Sequence, residues 1–158
     1  MQAVRAAVTV RNALVEDIEA LLDMSLRMHL ESRYSFLPFS REKVRALISQ
    51  CISEPDTHCA FVAEIDGRLG GMLGGYLADY FFCDEVVACD FVVFVDGTYR
   101  GTRAARTLVK AFQQWAASRN AREICLGIST DVESQKVARF YSILGFTSAS
   151  AVFRQRLC

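Results

Sequence analysis

Phe91-Val92-Val93-Phe94-Val95-Asp96-Gly97-Thr98-Tyr99-Arg100-Gly101-Thr102-Arg103-Ala104-Ala105 is the stretch from which the fold can be read. Its opening residues are apolar and mostly β-branched or aromatic, the composition of a buried strand. Asp96-Gly97 ends that strand, because both residues favour turn conformations. Past Gly101 the period changes. Ala105, Leu108, Val109, Phe112 and Ala116 recur at spacings of three and four, which describe one face of a helix. The unit is therefore strand, tight turn, helix N-terminus. A helix start presents unpaired N–H groups and the positive end of the dipole, a place for an anion and usually a phosphate. Arg100, Arg103 and Arg106 add positive charge at the same spot.

Upstream, His58 to Ile65, Leu69 to Tyr80 and Val86 to Val95 read as an antiparallel meander, with Asp66-Gly67 as the first hairpin turn. Gly70, Gly71, Gly74 and Gly75 weaken the middle strand and point to a bulge or a close backbone approach. Downstream, the helix runs to about Arg119, where Asn120 suits a left-handed cap. Glu123 to Ser129 is the next strand, and its helical crossover implies parallel pairing. Gln135 to Leu144 is a short helix stopped by Gly145, and Phe146 to Leu157 is expected to hold a last strand or strand pair.

The N-terminal part adds a short strand at Val8 to Arg11 and a helix near Asp17 to Ser32. Leu14, Ile18, Leu21, Leu22 and Met28 share the inner side of that helix. His29 sits late in it, where a structural role outweighs a catalytic one. Tyr34 to Phe39 is an aromatic loop broken by Pro38. Ser40 then caps a second helix with Val44, Leu47, Ile48 and Cys51 inward. The architecture is α+β, a mixed, mostly antiparallel sheet with helices packed on it.

A chain of 158 residues, 52% hydrophobic, is expected to form one domain, 1–158, around one core. A formal net charge of zero gives no footprint for nucleic acid or for an anionic membrane surface. No uncharged apolar run approaches the roughly 20 residues of a membrane-spanning helix. Arg5, Arg11, Glu16 and Asp17 interrupt the N-terminal Ala/Val stretch, unlike a signal peptide, so a cytoplasmic location is expected. The six cysteines form no C-x-x-C pair and there are only two histidines. Reduced thiols and the absence of a metal site follow as expectations.

The order of elements, centred on Tyr99-Arg100-Gly101-Thr102-Arg103-Ala104-Ala105, resembles the GNAT superfamily of acyl-CoA-dependent N-acyltransferases. In that family the loop Arg/Gln-x-x-Gly-x-Gly/Ala opens the long helix and holds the CoA pyrophosphate. Arg100 and Ala105 match its ends, and Arg103 stands where the inner glycine is expected. The later stretch Ser134-Gln135-Lys136-Val137-Ala138-Arg139-Phe140-Tyr141-Ser142-Ile143-Leu144-Gly145-Phe146 is similar to the family's C-terminal helix, an Asn-led helix ending in Phe-Tyr-x-x-x-Gly-Phe. Tyr141 and Gly145-Phe146 match, whereas Ser134 replaces the asparagine.

The resemblance implies an acyl-CoA N-acyltransferase-like sheet with helices on both faces. It also implies an N-acetyltransferase that moves acetyl from acetyl-CoA to an amine by direct attack in a ternary complex. The alternative is a CoA-binding module of the same fold without catalysis. Cofactor contacts would come from Phe94, Val95, Arg100, Gly101, Thr102, Arg103, Ala104, Ala105 and Ser134. An oxyanion needs N–H donors, which by resemblance lie near Phe94 and Val95. The leaving thiolate needs a proton, and Tyr141 is the family-matched donor. For the base, Asp90 lies in a strongly apolar strand where burial raises a carboxyl pKa, and Glu85 at that strand's start is the other candidate. The acceptor, a small molecule or a protein or peptide amine, would be held by Met28 to Phe39 and Tyr76 to Phe82. A homodimer is left open.

Overall fold

The computed structural model of the chain describes residues 6–128 and 130–157. Five strands form one sheet in the order β1-β2-β3-β4-β5, where β1 is Val8–Asn12, β2 His58–Ile65, β3 Arg68–Asp79, β4 Val86–Val95 and β5 Glu123–Cys125. Every pairing is antiparallel except β4 with β5, which is parallel. Asp66 and Gly67 both take positive φ, 50° and 77°, as the tight turn between β2 and β3 requires.

Four helices cover the sheet: α1 Ile18–Glu31, α2 Arg41–Ser53, α3 Ala104–Ser118 and α4 Ser134–Ile143. On one face Phe61, Ile65, Leu73 and Ala88 pack against Leu108, Val109, Phe112 and Ala116 of α3 and Tyr141 of α4. On the other, Val62, Met72 and Phe94 pack against Leu21 and Met24 of α1, with Ile48 and Ile52 of α2 at the margin. Ser40 accepts from Lys43 N at the start of α2. Asn120 after α3 and Gly145 after α4 have φ of 57° and 93°, the left-handed caps that end helices. Burial pushes the Cys51 thiol up to about 11 and the Cys59 thiol up to about 12, so both act as core side chains.

Three expectations change. The inner face of α3 begins at Ala104, which is fully buried, and not at Ala105, which is only half-buried. β5 stops at Cys125, short of the expected end at Ser129, a residue outside the described ones. Residues 146–157 form no strand. Thr147-Ser148-Ala149-Ser150-Ala151 offers little apolar surface to bury, and 147–157 are exposed. Their arginines instead meet the aromatic loop, with Arg156 over Phe36 at 3.7 Å and Arg154 over Tyr34 at 5.8 Å.

The expected irregularity in β3 is a bulge in its pairing with β4. Gly74 faces Val92 and Gly75 faces Asp90, which leaves Phe91 without a partner. The extra residue reverses the alternation of β4. Ala88 points to the α3 face, yet beyond the bulge it is Val93 and Val95 that reach that face, while Val92 and Phe94 turn to α1. Gly75 permits this packing. A Cβ there would lie 2.5 Å from the Phe112 ring and 2.9 Å from the Cys89 carbonyl oxygen. Gly75→Ala should therefore lower stability by about 1–3 kcal/mol, the cost of overpacking. Urea unfolding monitored by circular dichroism measures it, and an unchanged midpoint would show that the ring can move aside.

Candidate active site

The parallel ladder between β4 and β5 ends at the pair Cys89 and Cys125. One residue further along β4, Oδ1 of Asp90 accepts from Gly127 N at 2.9 Å. The ladder goes no further, and the two strands part. Among the described residues, Val93 to Val95 have no strand beside them on this edge. The wedge that opens is a cavity of about 400 Å³ walled by Val93, Phe94 and Val95 of β4, Met28 and Glu31 of α1, the segment Tyr99–Thr102, Ala105 of α3, Thr130 and Val132, and Val137, Phe140 and Tyr141 of α4. Its lining is largely apolar, with Glu133 and Lys136 at the start of α4 and Glu31 and Arg100 at the α3 end.

At that end the turn is built from its own side chains. Thr102 Oγ1 donates to Tyr99 O at 2.8 Å and accepts from Ala104 N at 3.3 Å. Gly101 has φ 87°, a conformation that disfavours any side chain. The first intrahelical bond of α3 runs from Thr107 N to Arg103 O at 3.0 Å. The N–H groups of Ala105 and Arg106 lie ahead of it, free for an anion. Arg100 crosses the opening: its Nε donates to Val95 O at 3.1 Å, its guanidinium lies 5.6 Å from the Phe94 ring centroid, and Nη2 meets Glu31 Oε2. Arg103 and Arg106 are exposed and have no carboxylate partner among the described residues.

Tyr141 lines the cavity, and Asp90 lies near it on β4 without lining the cavity. Burial pushes the Asp90 carboxyl up to about 6, although the Gly127 N–H works against that rise. Burial, and then the charge of Asp90, push the Tyr141 phenol well above its ordinary value. The charge of Asp90 therefore reaches Tyr141. Glu85 is elsewhere. It is exposed in the turn before β4, 3.7 Å from Arg122 Nε, at the end of the strand remote from the cavity. Ser134 opens α4 but its hydroxyl donates to Asp131 Oδ1 at 2.9 Å, outside the cavity lining. Ala104 and Arg103 do not line it either.

Residues 24–146 match the model of the acetyltransferase (GNAT) family. The chain belongs to that family. No curated protein matches it in sequence. Solved structures share the fold at low identity. The aminoglycoside acetyltransferase AAC(6')-Iy, bound to a bisubstrate analogue of CoA and acetylneamine, has a TM-score of 0.74 at 18% identity over 96% of this chain and 99% of that one. Glucosamine-6-phosphate N-acetyltransferase from Arabidopsis thaliana has a TM-score of 0.74 at 14% identity over 96% and 99%. An acetyltransferase of Trypanosoma brucei has a TM-score of 0.70 at 19% identity over 96% and 100%.

Within this GNAT fold the structure brings Phe94, Val95, Arg100, Gly101, Thr102, Ala105 and Tyr141 to one cavity. The expected acceptor wall divides. Met28 lines the cavity, while His29 holds the aromatic loop through Leu37 O at 2.8 Å. Tyr76 stacks on Phe91 at 4.4 Å between ring centroids, and Phe81 and Phe82 project into solvent. Glu31 falls within the expected Met28 to Phe39 wall, whereas Val137 and Phe140 were not expected in the site. Val137 stands three residues ahead of Phe140 and four ahead of Tyr141, the spacings that make neighbours on a helix surface. Among the described residues no cluster of His, Cys, Asp and Glu is built to hold a metal ion, and no helix is long and apolar enough to cross a membrane.

The Asp90 shift has a stability consequence. The carboxyl titrates near 3.9 in an unfolded chain and at about 6 in the folded one. Between those values the folded chain keeps a proton that the unfolded chain has lost, so this contribution falls as pH rises and is constant above the window. The loss amounts to about 3 kcal/mol at 1.36 kcal/mol per unit. Asp90→Asn keeps an acceptor for Gly127 N–H but cannot titrate. Urea unfolding of both proteins across the window should show wild type losing stability relative to the variant, and parallel curves would mean that Asp90 ionises normally.

Proposed function

We propose that this protein is an N-acetyltransferase that moves an acetyl group from acetyl-CoA to an amine by direct attack in a ternary complex. The observation that supports it is the wedge between β4 and β5, with free N–H groups of α3 at one end, Tyr141 in its wall and Asp90 close to Tyr141. Acetyl-CoA would supply the thioester. Arg100, the open start of α3 and the exposed Arg103 suit its phosphates. The apolar walls formed by Val93, Val137 and Phe140 suit an uncharged arm between them.

The chemistry asked of the chain is modest. Holding amine and acyl donor together removes much of the entropic barrier. N–H groups along the unpaired edge of β4 can donate to the developing oxyanion. With a carboxyl near 6, Asp90 is about nine-tenths ionised at neutral pH, ready to take a proton from the incoming ammonium, directly or through water. Tyr141 stays protonated over the whole working range because its phenol is pushed up. It can donate to a thiolate leaving in the same low-dielectric pocket, where the thiolate is also made more basic. The acceptor class follows the neighbours only in outline: an amine-bearing molecule, as aminoglycosides and glucosamine 6-phosphate are.

Calorimetric titration of CoA at low and high salt should show binding with a salt-sensitive part, and no binding at millimolar CoA would defeat the reading. Tyr141→Phe should keep CoA affinity and lower kcat by roughly 10²-fold, read as thiol release with a panel of amines. Wild-type turnover in that variant would leave Tyr141 a wall of the cavity. Absence of turnover by wild type with every amine, despite tight CoA binding, would favour the non-catalytic module. Arg103→Ala should weaken CoA by about 1–3 kcal/mol, the range for hydrogen bonds to charged groups. A gain in affinity would instead mark Arg103 as an obstruction.

A further inference from the structure

Glu31 is the last residue of α1, where the helix dipole disfavours a carboxylate. It lines the cavity, and its Oε2 lies 2.5 Å from Nη2 of Arg100. One turn earlier, Arg27 Nε meets Asp96 Oδ2 at 2.7 Å. Two pairs with crossed signs and the same four-residue spacing on each side thus fasten the end of α1 to the segment between β4 and α3. Of the two, only the Glu31 pair covers a cation that faces the cavity.

We infer that Glu31 is a positioning residue whose carboxylate occupies, in the unliganded protein, the donor face of Arg100 that a phosphate takes when the cofactor binds. The inference rests on the acetyl-CoA reading and adds a device to it. A carboxylate and a phosphate oxygen use the same forked guanidinium donors, so both cannot hold that face together. The exchange favours phosphate, because a pyrophosphate also reaches the free N–H groups of Ala105 and Arg106, whereas Glu31 has Arg100 alone. The pair is part-exposed, with side chains 37% and 38% accessible, and such pairs are weak enough to be displaced.

Displacement has a consequence beyond affinity. Immediately after Glu31, Ser32 N bonds to His29 O at 3.1 Å, and Arg33 N bonds to Thr130 O at 2.9 Å, at the opposite lip of the cavity. These bonds root the aromatic loop 34–39. With Glu31 on Arg100, the end of α1 and the root of the loop are held down. With phosphate on Arg100, they are released while Arg27 still anchors the preceding turn. The cofactor would then unlock the side of the cavity at the root of the aromatic loop.

The test compares wild type, Glu31→Gln and Arg27→Gln by CoA titration and by amide hydrogen exchange. Glu31→Gln should bind CoA about threefold tighter at low salt, the scale of an exposed ion pair, and the gap should close at high salt. Arg27→Gln breaks the sister pair and leaves Arg100 covered, so it should show no such gain. Exchange at Ser32 and Arg33 should speed up when CoA binds wild type and be fast already in unliganded Glu31→Gln. If wild type binds CoA and Glu31→Gln gains nothing, or if Arg27→Gln gains as much, the device is refuted while the cofactor reading stands. If neither protein binds CoA, both fall.

Discussion

One hydrogen bond decides the shape of this protein's cavity: Gly127 N to Asp90 Oδ1. A parallel pair continues only while each strand offers backbone donors to the other. Here a side-chain carboxylate, and not a backbone carbonyl, holds Gly127 N, and the ladder ends at Cys89 and Cys125. The same bond keeps Asp90 inside the sheet, where burial raises its pKa. Strand separation and the tuning of a candidate base therefore have one physical origin.

The bulge at Phe91 is the counterpart on the other side of β4. It turns Val93 and Val95 into the wedge and Phe94 onto α1. Without it the edge that lines the cavity would present the opposite set of side chains. Gly75 makes the bulge compatible with the Phe112 ring beneath it. Bulge, glycine and aromatic ring are one packing solution, distributed over β3, β4 and α3.

Local features were legible. Asp66-Gly67, Asn120 and Gly145 each carry a backbone conformation that few residues accept, and all take it. The limits of β4 follow from its apolar run, and Ser40 does cap α2. Ala105 was misplaced by one position because an alanine-rich start blurs which residue begins the inner stripe. Tyr141 and Arg100 could be picked out from motif matches. Glu85 could not be separated from Asp90 by composition, since nothing local says which end of a strand meets a cavity. The bond from Asp90 to Gly127 and the pair between Glu31 and Arg100 join residues 37 and 69 positions apart. No periodicity announces such contacts. The tail failed as a strand because pairing needs a partner edge and apolar surface, and its middle has little of the second.

The parallel placement of β5 also governs how the protein comes into being. β2, β3 and β4 pair as sequential neighbours across short connections, whereas β1 must reach β2 over the intervening α1 and α2. The pairing of β4 with β5 must wait until α3 has been laid across the sheet, and the walls of the cavity are drawn from α1, β4, α3 and α4. Its closure has the higher entropic threshold. A nascent chain can therefore gain most of its sheet while it has no pocket at all, and competence for chemistry is acquired only as the chain's last third docks.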